Sequence, residues 1–433
     1  MSYNWQPVTL GNLVEIKHGY AFKGDFITDE ENPNLLLTPG NFAIGGGFQF
    51  KKKKFYSGEI PQEYVLNEGD VIVTMTDLSK EADTLGYAAK VPSSEYVLLH
   101  NQRLGKLVLK TDQTSLDFLH WVLRTKDYRN EILSNYTGST VKHTSPSKIS
   151  VYTFLLPPLS EQHTIAALLG ALDDKIELNR KIAVKLEAMA RALYRSWFVN
   201  FDPVHARSRG LIPPHMDEAT AALFPDRFGE DLMPDGWEEK SLTMIATFLN
   251  GTALQKFPAA DGKDALNVIK IAELRNGISP KSGRASTNIP AKYRIENGDV
   301  LFSWSGSLLQ RVWTEGTGAL NQHLFKVSSE CVPKWFHFFA VDQHMEDFRR
   351  TAESKATTMG HIQRHHLDDA VVCAPDANVM EAADRIIAPL FERSITVQLE
   401  NQTLSTLRDT LLPRLMSGEL RVGEAREMTE DVV

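Results

Sequence analysis

The chain has 433 residues, 42% hydrophobic and 24% charged, with a formal net charge of −8. At about 150 residues per domain this length excludes a single small module, and the apolar content excludes a disordered chain. No run approaches the ~18 apolar residues that cross a bilayer. Met1–Pro7 lacks the basic and apolar regions of a signal peptide, and two cysteines, Cys331 and Cys373, fit a reducing cytoplasm better than a disulfide framework. Residues 1–160 hold 16 Lys+Arg against 17 Asp+Glu, so a polyanion has to be met by a local basic patch.

Taken in chain order, a β-rich region opens at Trp5 and contains one strong basic run, Lys51–Lys54, set among Phe48, Phe50, Phe55 and Tyr56. Val71–Thr76 reads as a strand after a Gly-Asp turn, Leu104–Leu109 as another, and residues 115–133 as helical. Val151–Leu156 is a strand stopped by Pro157-Pro158. A long helix follows, with Ser160 as N-cap, Glu161 in its first turn, and apolar residues at Ile165, Leu168, Leu172, Ile176, Ile182, Leu186, Met189 and Leu193. Residues 201–236 carry five prolines and three glycines and read as a connector.

The series then repeats. Trp5–Leu10 faces Trp237–Leu242 at an offset of 232, and Gly19–Phe22 faces Gly251–Leu254 at the same offset. Tyr64–Val71 faces Tyr293–Val300 at 229, Asn101-Gln102 faces Asn321-Gln322 at 220, and His143 faces His361 at 218. Val300–Ser305 and Ala370–Ala374 are the second strands, residues 334–350 the second helical piece. A second long helix carries Ile387, Leu390, Val397, Leu404 and Leu411. A period above 200 residues means two whole domains rather than a solenoid. Helices of about 35 residues make rods of roughly 50 Å, longer than such a domain is wide, and they hide their stripes best by pairing as a coiled coil. Asn179 and Asn401 both fall at a positions, where Asn costs stability and fixes register.

Leu156-Pro-Pro-Leu-Ser-Glu-Gln162 before the first helix, Gly298–Ser307 with Asn321-Gln-His323, Gly69–Lys80, and Leu411–Leu420 together resemble the specificity (S) subunits of Type I restriction-modification enzymes. The second copy departs from the pattern, since Asp-Ala-Asn follows Pro375 with no Glu-Gln. The resemblance implies an α+β fold: two target-recognition domains in pseudo-twofold tandem, separated by two long antiparallel helices. The expected bounds are 1–159 for the first domain, 160–200 for its helix, 201–236 for the connector, 237–378 for the second domain, 379–416 for its helix and 417–433 for a tail. It further implies a non-catalytic, cytoplasmic subunit. Each domain reads half of a bipartite asymmetric site on double-stranded DNA, and the helices dock two methyltransferase subunits and, through them, restriction/motor subunits. S-adenosylmethionine, ATP and Mg²⁺ then belong to the partners, which methylate adenine and cut DNA, and no membrane is involved. The alternatives are a fused enzyme with its own catalytic site and a coiled-coil protein scaffold.

Little in the chain supports chemistry of its own. Asn200-Phe-Asp-Pro203 only partly resembles an amino-methyltransferase loop, and no GxxxxGK[ST] is present. Asp226 with Glu238-Glu-Lys240 fits a Mg²⁺ nuclease loosely, but the first copy keeps nothing acidic there. His361, His365, His366 and Cys373 have spacing that suits zinc, yet Ser147 and Lys148 occupy the matching places of His365 and His366, so no metal site is expected. DNA contacts are expected from Lys51, Lys52, Lys53 and Lys54 on phosphates. They are also expected from Thr74, Thr76, Ser79 and Lys80 after one strand, and from Ser303, Trp304, Ser305 and Ser307 after its twin. The polar loops with Ser139, Thr140 and Lys142, and with Thr357, Thr358 and His361, complete the set. Asn101-Gln102 and Asn321-Gln322, kept in both copies, belong to the shared frame.

Overall fold

The computed structural model describes residues 5–51, 53–259, 264–279, 281–354 and 360–430. It divides into two compact units, Met1–Lys175 with Leu404–Val433, and Ile176–Thr403. The architecture is α+β in both.

In the first unit Gln6–Thr9 pairs antiparallel with Thr153–Leu156, which brings the ends of the β-rich region together where the long helix starts. A four-stranded sheet runs Val14–His18, Leu104–Leu109, Val71–Thr74, Ala88–Lys90. A five-stranded sheet runs Ile27–Thr28, Phe55–Tyr56, Asn34–Leu36, Val97–Leu99, Val65–Leu66, with one parallel pairing between Asn34–Leu36 and Val97–Leu99. The strand expected over Val71–Thr76 breaks at Met75. There the chain leaves the sheet, and Thr76–Asp77 pairs instead with Lys142–His143.

The second unit repeats this frame. Glu238–Ser241 pairs with Val371–Ala374. Its four-stranded sheet runs Thr247–Asn250, Leu324–Ser328, Val300–Ser303, Gln310–Val312, and its other sheet runs Arg284–Ser286, Ala265–Ile269, Gly318–Leu320, Arg294–Ile295. The single parallel pairing recurs, between Ala265–Ile269 and Gly318–Leu320. Even isolated bridges match: Tyr20 with Asn101 in one unit, Thr252 with Asn321 in the other.

Each expected helical piece is two helices, Leu116–Val122 and Lys126–Asn135 in the first unit, Lys334–Gln343 and Met345–Ser354 in the second. In the first unit the break comes from capping. Ser115 accepts from the Phe118 amide at 3.2 Å and Thr125 from the Tyr128 amide at 3.3 Å, so each starts its own helix.

The long helices are Leu159–Phe198 and Ala377–Met416, forty residues each. Ser160 is not the N-cap. The helix starts a residue earlier, with the Glu161 and Gln162 amides on the Pro158 carbonyl. The anchor is Gln162, wholly buried, which binds the Thr114 hydroxyl at 2.8 Å and the Gln113 and Pro157 carbonyls, both at 2.8 Å. In the second copy Asp376 takes over, capping the Asn378 and Val379 amides at 2.7 and 3.1 Å. The expected apolar stripe is buried at Ile165, Leu172 and Ile176 and departs elsewhere. Leu169 and Ala190 are buried, whereas Met189 is 53% exposed.

The helices run antiparallel. In the first unit Asp173 meets Arg408. In the second Asn179 donates to Glu400 Oε2 at 3.1 Å and Asn401 to the Ile176 carbonyl at 3.2 Å. Asn401 Oδ1 is buried with no partner. Asn401→Leu, which removes that stranded acceptor, is expected to raise unfolding stability by roughly 1–2 kcal/mol, read as a later denaturant midpoint at unchanged m-value.

Residues 201–236 contain two short helices, Asp202–Arg207 and Glu218–Leu223. They are packed down, with Val204 and Phe224 buried beside Trp197, Phe198 and Trp237 in the aromatic core of the second unit. Among the described residues no helix is long and apolar enough to cross a membrane.

Candidate nucleic-acid interface

In the first unit the basic run is less bare than its sequence suggests. Lys51 and Lys53 are exposed, but Lys53 donates to the Tyr96 hydroxyl at 2.9 Å, lies 4.5 Å over that ring and sits 3.8 Å from Glu31. Lys54 pairs with Asp29 at 2.6 Å. Lys52 lies outside the described residues.

The two polar loops expected from residues 74–80 and 136–143 do converge. Lys142 is buried, and its ammonium donates to the Ser79 carbonyl at 2.7 Å and the Ser139 carbonyl at 3.4 Å, tying one loop to the other. Asp77 holds the first loop from inside. It accepts from the Ser79 amide at 2.5 Å and from the Thr84 amide and hydroxyl at 2.6 and 2.7 Å. Burial works against its ionised form, yet these bonds from Ser79 and Thr84 hold the carboxyl below its ordinary value. Arg129 binds the Ala82 and Leu85 carbonyls, and Ala82 takes a left-handed conformation with φ 57°. What this braced loop offers to solvent is Leu78, 66% exposed, with Lys80, while Ser79 is half-buried. Ser139, Thr140 and His143 are exposed beside it.

Three residues expected at the surface of this unit are interior. Thr74 is wholly buried with its hydroxyl on the Thr84 carbonyl, Thr76 is buried against His143 Nδ1 at 3.3 Å, and Lys142 acts as the internal tie. Alternation explains part of this. The strand Val71–Thr74 is covered on both faces, so its last hydroxyl has no route to solvent.

The second unit builds the same corner with a tighter turn. Ser303 is wholly buried, binding the Ser307 carbonyl at 2.7 Å, and Ser305 is buried 3.1 Å from His323 Nδ1. Their interior position leaves Trp304, half-buried, and Ser307, exposed, as the outward residues. Trp304 donates to Asn250 Oδ1 at 3.1 Å and packs near the rings of His323 and His361. His361 bridges Ser305, as His143 pairs with Thr76 in the first unit. Thr357 and Thr358 lie outside the described residues.

Beside this corner is a cleft of about 870 Å³ that includes Arg275, Arg311 and Arg349 with Gly306, Ser307 and Glu353. Arg275 and Arg349 are exposed, while Arg311 donates to the Leu274 carbonyl at 3.3 Å. Sequence gave no signal for this group, because its arginines come from three elements far apart in the chain and no two are close in sequence. A concave wall with three guanidinia beside a hydroxyl-bearing turn suits a phosphate backbone, which Arg binds bidentately.

No group of three or more His, Cys, Asp or Glu that could hold a metal occurs among the described residues. The His365 and His366 rings lie tilted with centroids 3.9 Å apart, Cys373 lies in the strand Val371–Ala374 with burial pushing its thiol up to about 11, and Glu238 is paired with Lys240 at 3.1 Å.

Residues 3–188 match the family described as the Type I restriction modification DNA specificity domain. The specificity subunit of the Type I restriction enzyme HindI from Haemophilus influenzae is 24% identical over 454 residues, covering 88% of this chain and 99% of that one. The MjaIX specificity subunit from Methanocaldococcus jannaschii is 23% identical over 417 residues, covering 89% and 92%. A crystal structure of the Type I restriction-modification S subunit from M. genitalium shares the fold with a TM-score of 0.55 at 17% identity, covering 96% of each chain.

Proposed function

We propose, from the match of residues 3–188 to the Type I restriction modification DNA specificity domain and from the likeness to specificity subunits along most of the chain, that it is the DNA-reading component of such a complex and carries no catalytic site of its own. Each β-rich domain reads one half of a bipartite, asymmetric target. The long helices dock two methyltransferase subunits and, through them, restriction/motor subunits. S-adenosylmethionine, ATP and Mg²⁺ are supplied by those partners. We assign residues 1–159 and 237–378 to the reading domains and 160–200 and 379–416 to the helices as part of the same proposal.

The observation that carries the reading is the contrast between frame and rim. The two units share the order of one four-stranded sheet, the single parallel pairing and the bridge from Tyr20 or Thr252 to Asn101 or Asn321, yet the loops at matching corners differ in length and residue. An asymmetric two-part sequence needs this combination, one scaffold presenting two different edges to bases. Lys51, Lys53, Lys54, Lys80, Ser79, Ser139, Thr140 and His143 in the first unit, and Trp304, Ser307, His361 and the cleft arginines in the second, are the contacts we assign. Thr74, Thr76, Lys142, Ser303 and Ser305 are assigned to holding those loops in shape.

The test is the chain reconstituted with its methyltransferase subunits and challenged with genomic DNA fragments. Retardation of one set of fragments over the rest, with methylated adenines mapping to a two-part sequence, is the expected result. Equal retardation of all fragments, or methyl transfer by the chain alone, overturns it. Within that assay Arg275→Ala with Arg349→Ala is expected to lower the salt slope of binding by about 2, roughly 0.9 per phosphate contact, with the preferred sequence unchanged. An unaltered slope takes the cleft out of the interface.

A further inference from the structure

Both units place an ion cluster at the same point of the repeat, but with the charges arranged differently. In the first unit the Arg124 side chain is 4% exposed and meets Asp173 of the first long helix at 2.6 Å. The other oxygen of Asp173 takes Arg408 of the second long helix, also at 2.6 Å. In the second unit Asp342, on the helix Lys334–Gln343, faces Arg191 of the first long helix at 2.9 Å. Arg124 and Asp342 are 218 positions apart, the displacement that separates His143 from His361, and Arg191 and Arg408 are 217 apart, one residue short of it. The two clusters therefore join matching places on the domains to places one residue apart on the long helix that comes from the opposite copy.

The charges compensate within each cluster. Where the domain position is Arg124, it and Arg408 repel, and Asp173 lies between them. Burial opposes the charge on Asp173, but Arg124 and Arg408 hold its carboxyl below the ordinary value. Where the domain position is Asp342, it attracts Arg191 directly, and Arg191 also donates to Glu187 of its own helix at 2.8 Å. The place equivalent to Asp173 is then Phe391, wholly buried against Phe338 and Phe339. One contact is thus kept by two unrelated charge solutions. The partly exposed Arg191–Asp342 pair adds little to stability, so what is kept there is the geometry. Arg124 extends it further in the first unit, donating from Nε to the Gly45 carbonyl at 3.1 Å and lying 4.2 Å over Trp121.

We propose that Arg124–Asp173–Arg408 and Asp342–Arg191 are matched positioning clamps. They fix the angle at which each reading domain is held on its helices and thereby set the spacer length accepted between the two halves of the DNA target. The proposal rests on the bipartite reading given above.

The experiment uses the full chain reconstituted with methyltransferase subunits. The probes are duplexes carrying the mapped target with its natural spacer and with one base pair added or removed. Wild type is expected to favour the natural spacer. Arg191→Asp sets like charges against each other and is expected to cut that preference about five-fold, equivalent to about 1 kcal/mol, while the melting temperature barely moves. Arg191→Asp combined with Asp342→Arg is expected to restore the preference, which a merely structural loss would not do. An unchanged preference in the single variant overturns the clamp, as does a well-folded swap that fails to restore it. A wild-type complex that selects sequence but ignores spacer length removes the bipartite reading instead.

Discussion

Gly251→Ala is expected to destabilise the second unit by roughly 3 kcal/mol or more, at the severe end for a single methyl group. A Cβ built at Gly251 comes within 2.6 Å of the Asn321 carbonyl carbon, and closer still to its oxygen. Backbone cannot swing aside as a long side chain can. The neighbouring residue, Thr252, forms the bridge to Asn321, whose own Oδ1 accepts from the His323 amide at 3.3 Å. The crossing is therefore pinned from both sides. Gly19 meets the Asn101 carbonyl in the same way, beside the Tyr20–Asn101 bridge, and Asn101 Oδ1 accepts from the Arg103 amide at 3.0 Å. Gly19→Ala should damage the first unit to a similar extent. Gly170, inside the first long helix with open space where its Cβ would be, supplies the opposite sign. Gly170→Ala should stabilise by about 0.5–1 kcal/mol through helix propensity. Denaturant unfolding of the three variants checks this. A Gly251→Ala chain that unfolds like wild type would mean that the two strands do not cross so closely.

These glycines also mark how far the sequence could be read. Gly19 and Gly251 recur at one offset, as do Asn101 and Asn321, so the shared crossing was visible as a repeat before any geometry was known. The strand frame and the two long helices were legible for the same reason, since repetition and periodicity survive without tertiary contacts. Side-chain direction does not. Leu168 and Leu169 are both plausible members of a helical stripe, and only packing selects Leu169. Thr74 and Ser303 follow apolar strands and look like loop hydroxyls, yet the second covered face turns them inward. Charge compensation at Asp173 and Phe391 was hidden because neither residue is unusual by itself. The cleft arginines at 275, 311 and 349 are assembled by the fold alone.

Acid lability is the other large expected effect, and it arises from histidines rather than carboxylates. Burial lowers His100 to about 4, although the Leu104 carbonyl at 3.0 Å works the other way. Burial, helped by Arg124, lowers His120 to about 3, and burial, helped by Lys334, lowers His337 to about 4. In the unfolded chain each titrates near 6.5. Between about pH 6.5 and 4 the unfolded state therefore binds protons that the folded state refuses, so stability is complete above that window and falls as the pH drops through it. Each histidine contributes a slope of about 1.4 kcal/mol per pH unit once the pH is well below 6.5. The first unit holds two of them, so it should lose about 4 kcal/mol between pH 7.5 and pH 5. Asp173 does not act in this window, because a carboxyl with a lowered value gives up its contribution only below about pH 4. His337 tests the cause in the second unit. Its Nδ1 is buried without a partner, so His337→Leu strands no polar group and should reduce the acid slope of that unit without lowering its stability at neutral pH, while His344, which burial also lowers, keeps part of the slope. Unfolding free energies measured from pH 5 to pH 8 decide the matter. Equal stability at pH 5 and pH 7.5 would show that these imidazoles are hydrated in solution.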